Sequence, residues 1–326
     1  IFKAEDDTTC GGVGLAPCTL DHEIEVYDET NDLLVAWVRI PELSATADTS
    51  IYMYYGNPAI SSPTENPTGV WDTNYKGVWH LHDDLEDSTL NNNDGTNNGS
   101  TNITGQIADG QDFNGSAYID VDTVAADMDP NKGTYELWIK REFLDTVGAS
   151  QGVIWAEVDA ANRIWIEYAQ SADEWRFNHE GTDIQTQIAR AAGEIPQNTW
   201  TYAVMTWDTT ADEFKAYIND SQVGTTQTGL GTCSSPTSVK LGTRSSLSED
   251  YDGIIDEVRI SKTARSLAWI STQHSNQSNP SGFYIVDTNE CDNSIGVFDN
   301  RTPITIHGYQ VSGTSGSLTN FPLLVS

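Results

Sequence analysis

The chain has 326 residues, with 48 Asp and Glu against 16 Lys and Arg, for a formal net charge of −32. A surface this acidic lacks the basic patches that nucleic acid and anionic membranes require, so neither is expected as a partner. The 10 Trp and 13 Tyr place it among folded chains long enough for two or three domains. No stretch approaches the roughly 20 apolar residues of a membrane-spanning helix.

The acidity favours calcium binding or saline surroundings, with a solvated acidic surface as the plain alternative. No secretory signal opens the chain, which therefore reads as a mature or excised segment. The head, residues 1–58, begins in the middle of a pattern with IFKAEDD and runs through LDHEIEVYDE and LLVAWVRIP to IYMYYGNP. Within it Cys10 and Cys18 bracket a short GGVGLAP loop that a disulfide could staple. Cys233 and Cys291 would then form the second pair, although four cysteines permit three pairings. Disulfides suit an exported chain rich in Thr, Asn, Asp and Gly; free buried thiols are the alternative.

A proline-rich linker at 59–69 leads to a long central region, 70–285. There nearly every periodic run has a period of two. In TYELWIKREF, Tyr135, Leu137 and Ile139 point one way and Glu136, Trp138 and Lys140 the other. Similar runs at 152–158, 163–169, 174–181, 200–208, 213–220, 238–244 and 253–261 are separated by short polar turns. That is the pattern of an antiparallel all-β sandwich. One short helix is expected, at 266–277. A second linker, 286–301, precedes two last strands in 302–326, TPITIHG and FPLLVS.

Several groups are candidates for chemistry. The loop HDDLEDSTLNNNDG (82–95) packs carboxylates and amides together, as Ca²⁺ with its six to eight oxygen ligands would want, though without EF-hand spacing. An Asx-rich turn is the competing explanation. His80 and His82 alternate and could pair a metal, with a structural role more expected. Trp155, Trp165 and Trp175 lie on consecutive strands and could stack sugar rings, or pack between sheets. The carboxylate run Glu23, Glu25 and Asp28 does not have the spacing of a glycosidase pair. There is no HExxH, and no enzyme is expected. Sequons at Asn98, Asn102, Asn114, Asn219, Asn276 and Asn300 permit glycosylation.

Two resemblances now emerge. GVWHLHDDLEDSTLNNNDGTNNG, GQIADGQDFNGSAYIDV, TYELWIKREF and YDGIIDEVRISKTARS, in that order, resemble the concanavalin A-like, laminin G-type (LamGL) sandwich over roughly 70–285. That resemblance implies a Ca²⁺ held by Asp87, by oxygens around Asn93 and Gly95, and by Asp256 with Glu257. It also implies core positions for Trp138 and Trp200, and a lectin-like function. The flanks resemble DUF2341, a domain of bacterial and archaeal surface proteins. Its opening strands, here RTPITI and TNFPLLVS, stand at the C-terminus, whereas IFKAEDD, LDHEIEVYDE, LLVAWVRIP and IYMYYGNP stand at the N-terminus.

This permuted order has three explanations: a register of a tandem array, a tail that folds back on its own head, or a tail that completes a neighbouring copy. The neighbour is favoured at this point, because a sheet that ends in mid-domain leaves an exposed edge. Ile304, Ile306, Phe321, Leu323 and Val325 are the expected assembly side chains. At about 1.5–3 kcal/mol each, their burial contributes on the order of 10 kcal/mol before entropy is counted. The reading is an extracellular head-to-tail filament or repeat subunit, structural and adhesive, with copies of itself and glycans as partners. A calcium-dependent carbohydrate-binding module of a cell-surface adhesin is the alternative.

Overall fold

A computed structural model describes residues 1–5, 10, 17–143, 148–291, 298, 300–313 and 316–326. Two compact units are present: a terminal unit of Ile1–Asp72 with Ala268–Ser326, and a sandwich unit of Thr73–Leu267. Every strand pairing among the described residues is antiparallel.

In the terminal unit one sheet runs Thr19–Leu20, Phe2–Ala4, Thr49–Tyr55, Asn300–Ile306, Tyr284–Val286, and the other runs Ser317–Val325, Leu33–Ser44, His22–Asp28. Both C-terminal strands therefore pair with the head of the same chain. Ile304 lies opposite Ile51; Phe321, Leu323 and Val325 lie opposite Ile40, Val38 and Ala36. Ile304, Ile306, Phe321 and Leu323 are fully buried and Val325 nearly so. The strands complete the head's sheets, here within one chain. The physical reason is that the head supplies an open edge for each of them, and the returning chain can reach both.

The helix Leu267–Ser278, expected at 266–277 within the central region, serves this terminal unit. Asn276 is fully buried; its Nδ2 donates to the Leu324 carbonyl at 3.0 Å and its Oδ1 accepts from the Leu324 N–H at 2.7 Å. Gln273 Nε2 donates to the Pro322 carbonyl at 3.3 Å, and Trp269 packs edge-on against Phe321. The last strand of a sheet exposes unpaired backbone groups; here two helix amides satisfy them. Pro322 sits well on such an edge because it has no N–H to pair.

The sandwich unit stacks a seven-stranded sheet (Ile184–Ala191, Glu174–Gly181, Asn162–Ala169, Gln151–Asp159, Ser238–Leu241, Tyr118–Asp120, Thr96–Asn98) on an eight-stranded one. The second runs Ser221–Gln227, Glu213–Ile218, Thr201–Asp208, Lys132–Arg141, Asp252–Ser261, Asp109–Asn114, Thr101–Thr104, with Tyr75–Trp79 also paired to Asp252–Ser261. Tyr135, Leu137 and Ile139 enter the shared core with Trp175, Phe177, Met205 and Trp207, as their alternation requires.

Among the cysteines, Cys10 and Cys18 are joined. Cys233 is a buried free thiol whose Sγ donates to the Glu180 carbonyl at 3.4 Å. The expected pair with Cys291 is thereby corrected, since Cys233 is packed into the sandwich core; the Cys291 side chain lies outside the described residues.

Candidate functional site

Strand register builds a cavity of about 350 Å³ on the outer face of the eight-stranded sheet. Side chains alternate along a strand, so Ala203, Met205 and Trp207 enter the core while Thr206 and Asp208 face out. Cross-strand pairing then aligns Thr134, Thr206 and Lys215 in one row, and Lys132, Asp208 and Glu213 in the next. Tyr217, 2 % exposed, pairs with Gln222 beside them. Arg265 closes one side: its N–H donates to Thr134 Oγ1 at 2.9 Å and its guanidinium lies 4.5 Å over the Tyr75 ring.

The charges in this cavity are balanced. Lys132 Nζ donates to Asp208 Oδ2 at 2.8 Å, and Lys215 Nζ to Glu213 Oε2 at 2.7 Å. The Lys132 ammonium holds the Asp208 carboxyl below its ordinary range, helped by the N–H groups of Ala211 and Thr210. Burial pushes the Tyr217 phenol up, so at neutral pH it keeps its proton and can donate. Hydroxyl, amide and paired charged groups that converge on one hollow are a chemistry suited to polyhydroxylated ligands.

The residues expected to bind calcium lie elsewhere, and their lone pairs are committed. Asp87 Oδ1 accepts from the N–H of Val78 and Thr89, and Oδ2 from Thr89 Oγ1 and the Asn93 N–H, at 2.8–3.0 Å. Asn93 Nδ2 donates to Lys76 O and Asp127 Oδ2. Gly95 is a packing glycine: a Cβ there would meet Ile119 at 3.0 Å and Leu85 at 3.2 Å.

Asp256 and Glu257 sit at a β-bulge, where Glu257 has φ +53° and the register skips opposite Leu137. Asp256 Oδ2 accepts the N–H groups of Gln106 and Ile107. Glu257 lies between His80 Nδ1 at 2.7 Å and Arg259 Nη2 at 2.6 Å. A cation would meet hydrogen-bond donors at both oxygens of Asp87 and of Glu257 and at Asp256 Oδ2. As arranged, these residues do not fit Ca²⁺.

The structure also brings His82, Asp83 and Asp109 together, with candidate ligand atoms within 4.8 Å of one another. Leu81, at φ +61°, breaks the alternation between His80 and His82, so the two histidines do not form a pair. Asn102 Nδ2 donates to both Asp83 and Asp109.

The tryptophans divide. Trp175 is core. Trp155 and Trp165 stack on the outer face of the seven-stranded sheet, centroids 4.9 Å apart, but Arg244 and Arg163 cover them and they are only 1 % and 3 % exposed. Guanidinium groups occupy the faces a sugar would need. Trp138 is buried on the outer face of its sheet and Trp200 is half-buried with Lys140 6.0 Å from its ring, so neither joins the core cluster.

Among the sequons, Asn276 is corrected outright, because its amide is buried on Leu324. Asn219 spends its Oδ1 on the Tyr202 N–H, while Asn102 and Asn114 are exposed and Asn98 and Asn300 are half-buried. The carboxylates of the head are structural too: Glu23 accepts from Trp71 Nε1, Glu25 from Trp37 Nε1, and Asp28 from Thr30 and Asn31. No signal in the sequence marks the outer-face cavity, since its residues come from four strands and one loop whose register only pairing sets.

Residues 113–271 match the concanavalin A-like lectin/glucanases superfamily. Residues 16–98 match DUF2341, a domain of unknown function. No curated protein matches the chain.

Among solved structures, the concanavalin A-like sandwich is similar to domain 4 of AbnA, a GH43 extracellular arabinanase from Geobacillus stearothermophilus, in complex with arabinotriose. The two share 20 % identity over 60 % of this chain and 96 % of that one, with TM-score 0.48. It is also similar to the receptor binding domain of botulinum neurotoxin C/D mosaic serotype (12 % identity, 63 % and 51 % coverage, TM-score 0.53). A third is a structure of botulinum neurotoxin type C, a toxin whose cell entry depends upon interaction with two ganglioside molecules (11 %, 63 % and 51 %, TM-score 0.52). This chain spans about half the length of the toxin domains, and the likeness is one of fold. Among the described residues, no helix is long and apolar enough to cross a membrane.

Proposed function

We propose that this chain is an extracellular, non-enzymatic carbohydrate-binding module with an adhesive role, and that the sugar seat is the outer-face cavity of the concanavalin A-like sandwich. The observation that carries this reading is the convergence of Tyr217, Gln222, Lys215 and Asp208 around about 350 Å³ of space. That volume falls within the range of small-ligand sites. The lectin-like fold supports it, and so does the ganglioside dependence stated for a toxin of the same fold. The Cys10–Cys18 disulfide suits an oxidising, extracellular setting.

The test is retention of the purified chain on immobilised polysaccharides, with Tyr217→Ala, Gln222→Ala and Lys215→Ala compared with the parent. Saturable retention, lost in these variants and unchanged by EDTA, is the expected result. Retention released by EDTA would return the site to the calcium-dependent alternative. Retention that survives all three substitutions would place the sugar elsewhere.

A head-to-tail fibre is the second reading. Asn300–Ile306 and Ser317–Val325 enter separate sheets of one unit, so both would exchange together between copies, as in domain swapping. Light scattering after size exclusion separates the cases: closure within one chain gives monomers, exchange gives a ladder.

A further inference from the structure

The terminal unit carries a second cavity, of about 560 Å³, which the glycan reading does not use. Its walls come from both sheets: Phe2, Met53 and Tyr54 on one side, and Ile24, Tyr27 and Leu33 from the hairpin on the other. The hairpin side chains are unusually open for apolar groups, with Tyr27 69 % and Leu33 41 % exposed. Glu29 and Asp32 stand at the same cavity and are exposed. No Lys or Arg lines it.

The strand that carries Ile24 and Tyr27, His22–Asp28, is the outer strand of its sheet. Its free edge is covered at its start, where the Asn66 N–H donates to the His22 carbonyl and the Ile24 N–H donates to Glu65 Oε2. Among the described residues no strand pairs with the other edge of Val26–Asp28, and Tyr27 of this stretch lines the cavity. An edge strand beside an apolar hollow is the geometry in which an extended peptide adds itself as a further strand and drops alternate side chains into the hollow.

We infer that this hollow and edge form a docking site for an extended segment of a partner protein in which apolar residues alternate with Lys or Arg. Charge decides the occupant. Residues 1–72 hold 13 Asp and Glu against Lys3 and Arg39 alone; Arg39 is engaged with Asn320, Gly69 and Asp21, and Lys3 lies over the Tyr54 ring. A second copy of this chain, at −32, would meet repulsion here, whereas a basic segment is attracted and steered.

The test uses the full chain and three dye-labelled nonapeptides followed by fluorescence anisotropy: alternating Lys/Leu, the same with Glu for Lys, and the same with Ser for Leu. Only the Lys/Leu peptide is expected to bind saturably. Tyr27→Ser with Leu33→Ser, and separately Glu29→Gln with Asp32→Asn, should each weaken it roughly tenfold, about 1.4 kcal/mol. A charge-matched control in the sandwich, Asp183→Asn with Asp220→Asn, should leave it unchanged. These sites are exposed, so folding is not at stake, and unchanged melting of each variant verifies that. Equal binding of the Lys/Ser peptide, or equal loss in the control, would reduce the effect to adsorption on an acidic chain and overturn the proposal. So would a parent dimer that Tyr27→Ser converts to monomer, since the occupant would then be a second copy.

Discussion

Replacing Asn276 by Ala tests how the C-terminus is held. The Asn276 side chain is fully buried and makes two hydrogen bonds to the backbone of Leu324, which is itself 1 % exposed. Alanine leaves the Leu324 N–H and C=O without these partners in a place water does not reach. Each orphaned buried group costs about 1–3 kcal/mol, so the loss should be about 2–6 kcal/mol. That is a large part of a typical domain's 5–15 kcal/mol, roughly speaking. Because the chain has two units, a single denaturation midpoint is a poor readout. Amide hydrogen exchange reports locally, and protection at Leu324 and Val325 should fall by a factor of about 30 or more, on the scale of 1.4 kcal/mol per tenfold. Asn276→Asp should do as badly, since a carboxylate would face the Leu324 carbonyl. Protection unchanged within a factor of two in Asn276→Ala would refute the helix clamp.

Burial lowers the His179 imidazole to a pKa of about 4 from 6.5, with the Pro130 carbonyl acting in the opposite sense. The neutral ring is favoured in the folded state, so its stability contribution is present above about pH 6.5 and is lost as pH falls toward 4, amounting to about 3 kcal/mol. His179→Gln should flatten the stability profile over that window; an unchanged acid limb would contradict it. Burial, with Asp159 and Glu180 nearby, pushes the Cys233 thiol up to about 12, so it should resist iodoacetamide at pH 8 in the native protein and react after unfolding. Rapid native labelling would show that it is not packed as described. If the carboxylates of Asp87, Asp256 and Glu257 are committed as found, EDTA should leave the melting temperature within a degree or so, whereas a bound structural ion would stabilise measurably.

Much of the fold is legible in the sequence because it rests on local periodicity. The alternation in TYELWIKREF places Tyr135, Leu137 and Ile139 in the core without reference to the rest of the chain. The likeness of RTPITI and TNFPLLVS to opening strands identifies them as missing parts of the head, and they do pair with it. The calcium expectation shows the limit of such reasoning. The composition of the 82–95 loop suits a cation, yet the oxygens of Asp87 point at N–H groups of Val78, Thr89 and Asn93. Composition says which groups are available; it does not say whether their lone pairs are already taken. The tryptophan ladder fails for a similar reason, since Arg163 and Arg244 cover faces that strand order alone would leave open.

Residue type and spacing are properties of neighbours along the chain, so the order of the amino acids is enough to reveal strands, turns and the two family patterns. Whose edge the tail strand occupies, and what seals that strand in turn, depends on contacts 48 and more residues apart, such as Asn276 with Leu324. Likewise the outer-face cavity exists only because register sets Lys132, Asp208 and Glu213 side by side. Those are outcomes of competition among many long-range pairings, each closing a loop at entropic cost, and only the folded chain decides among them.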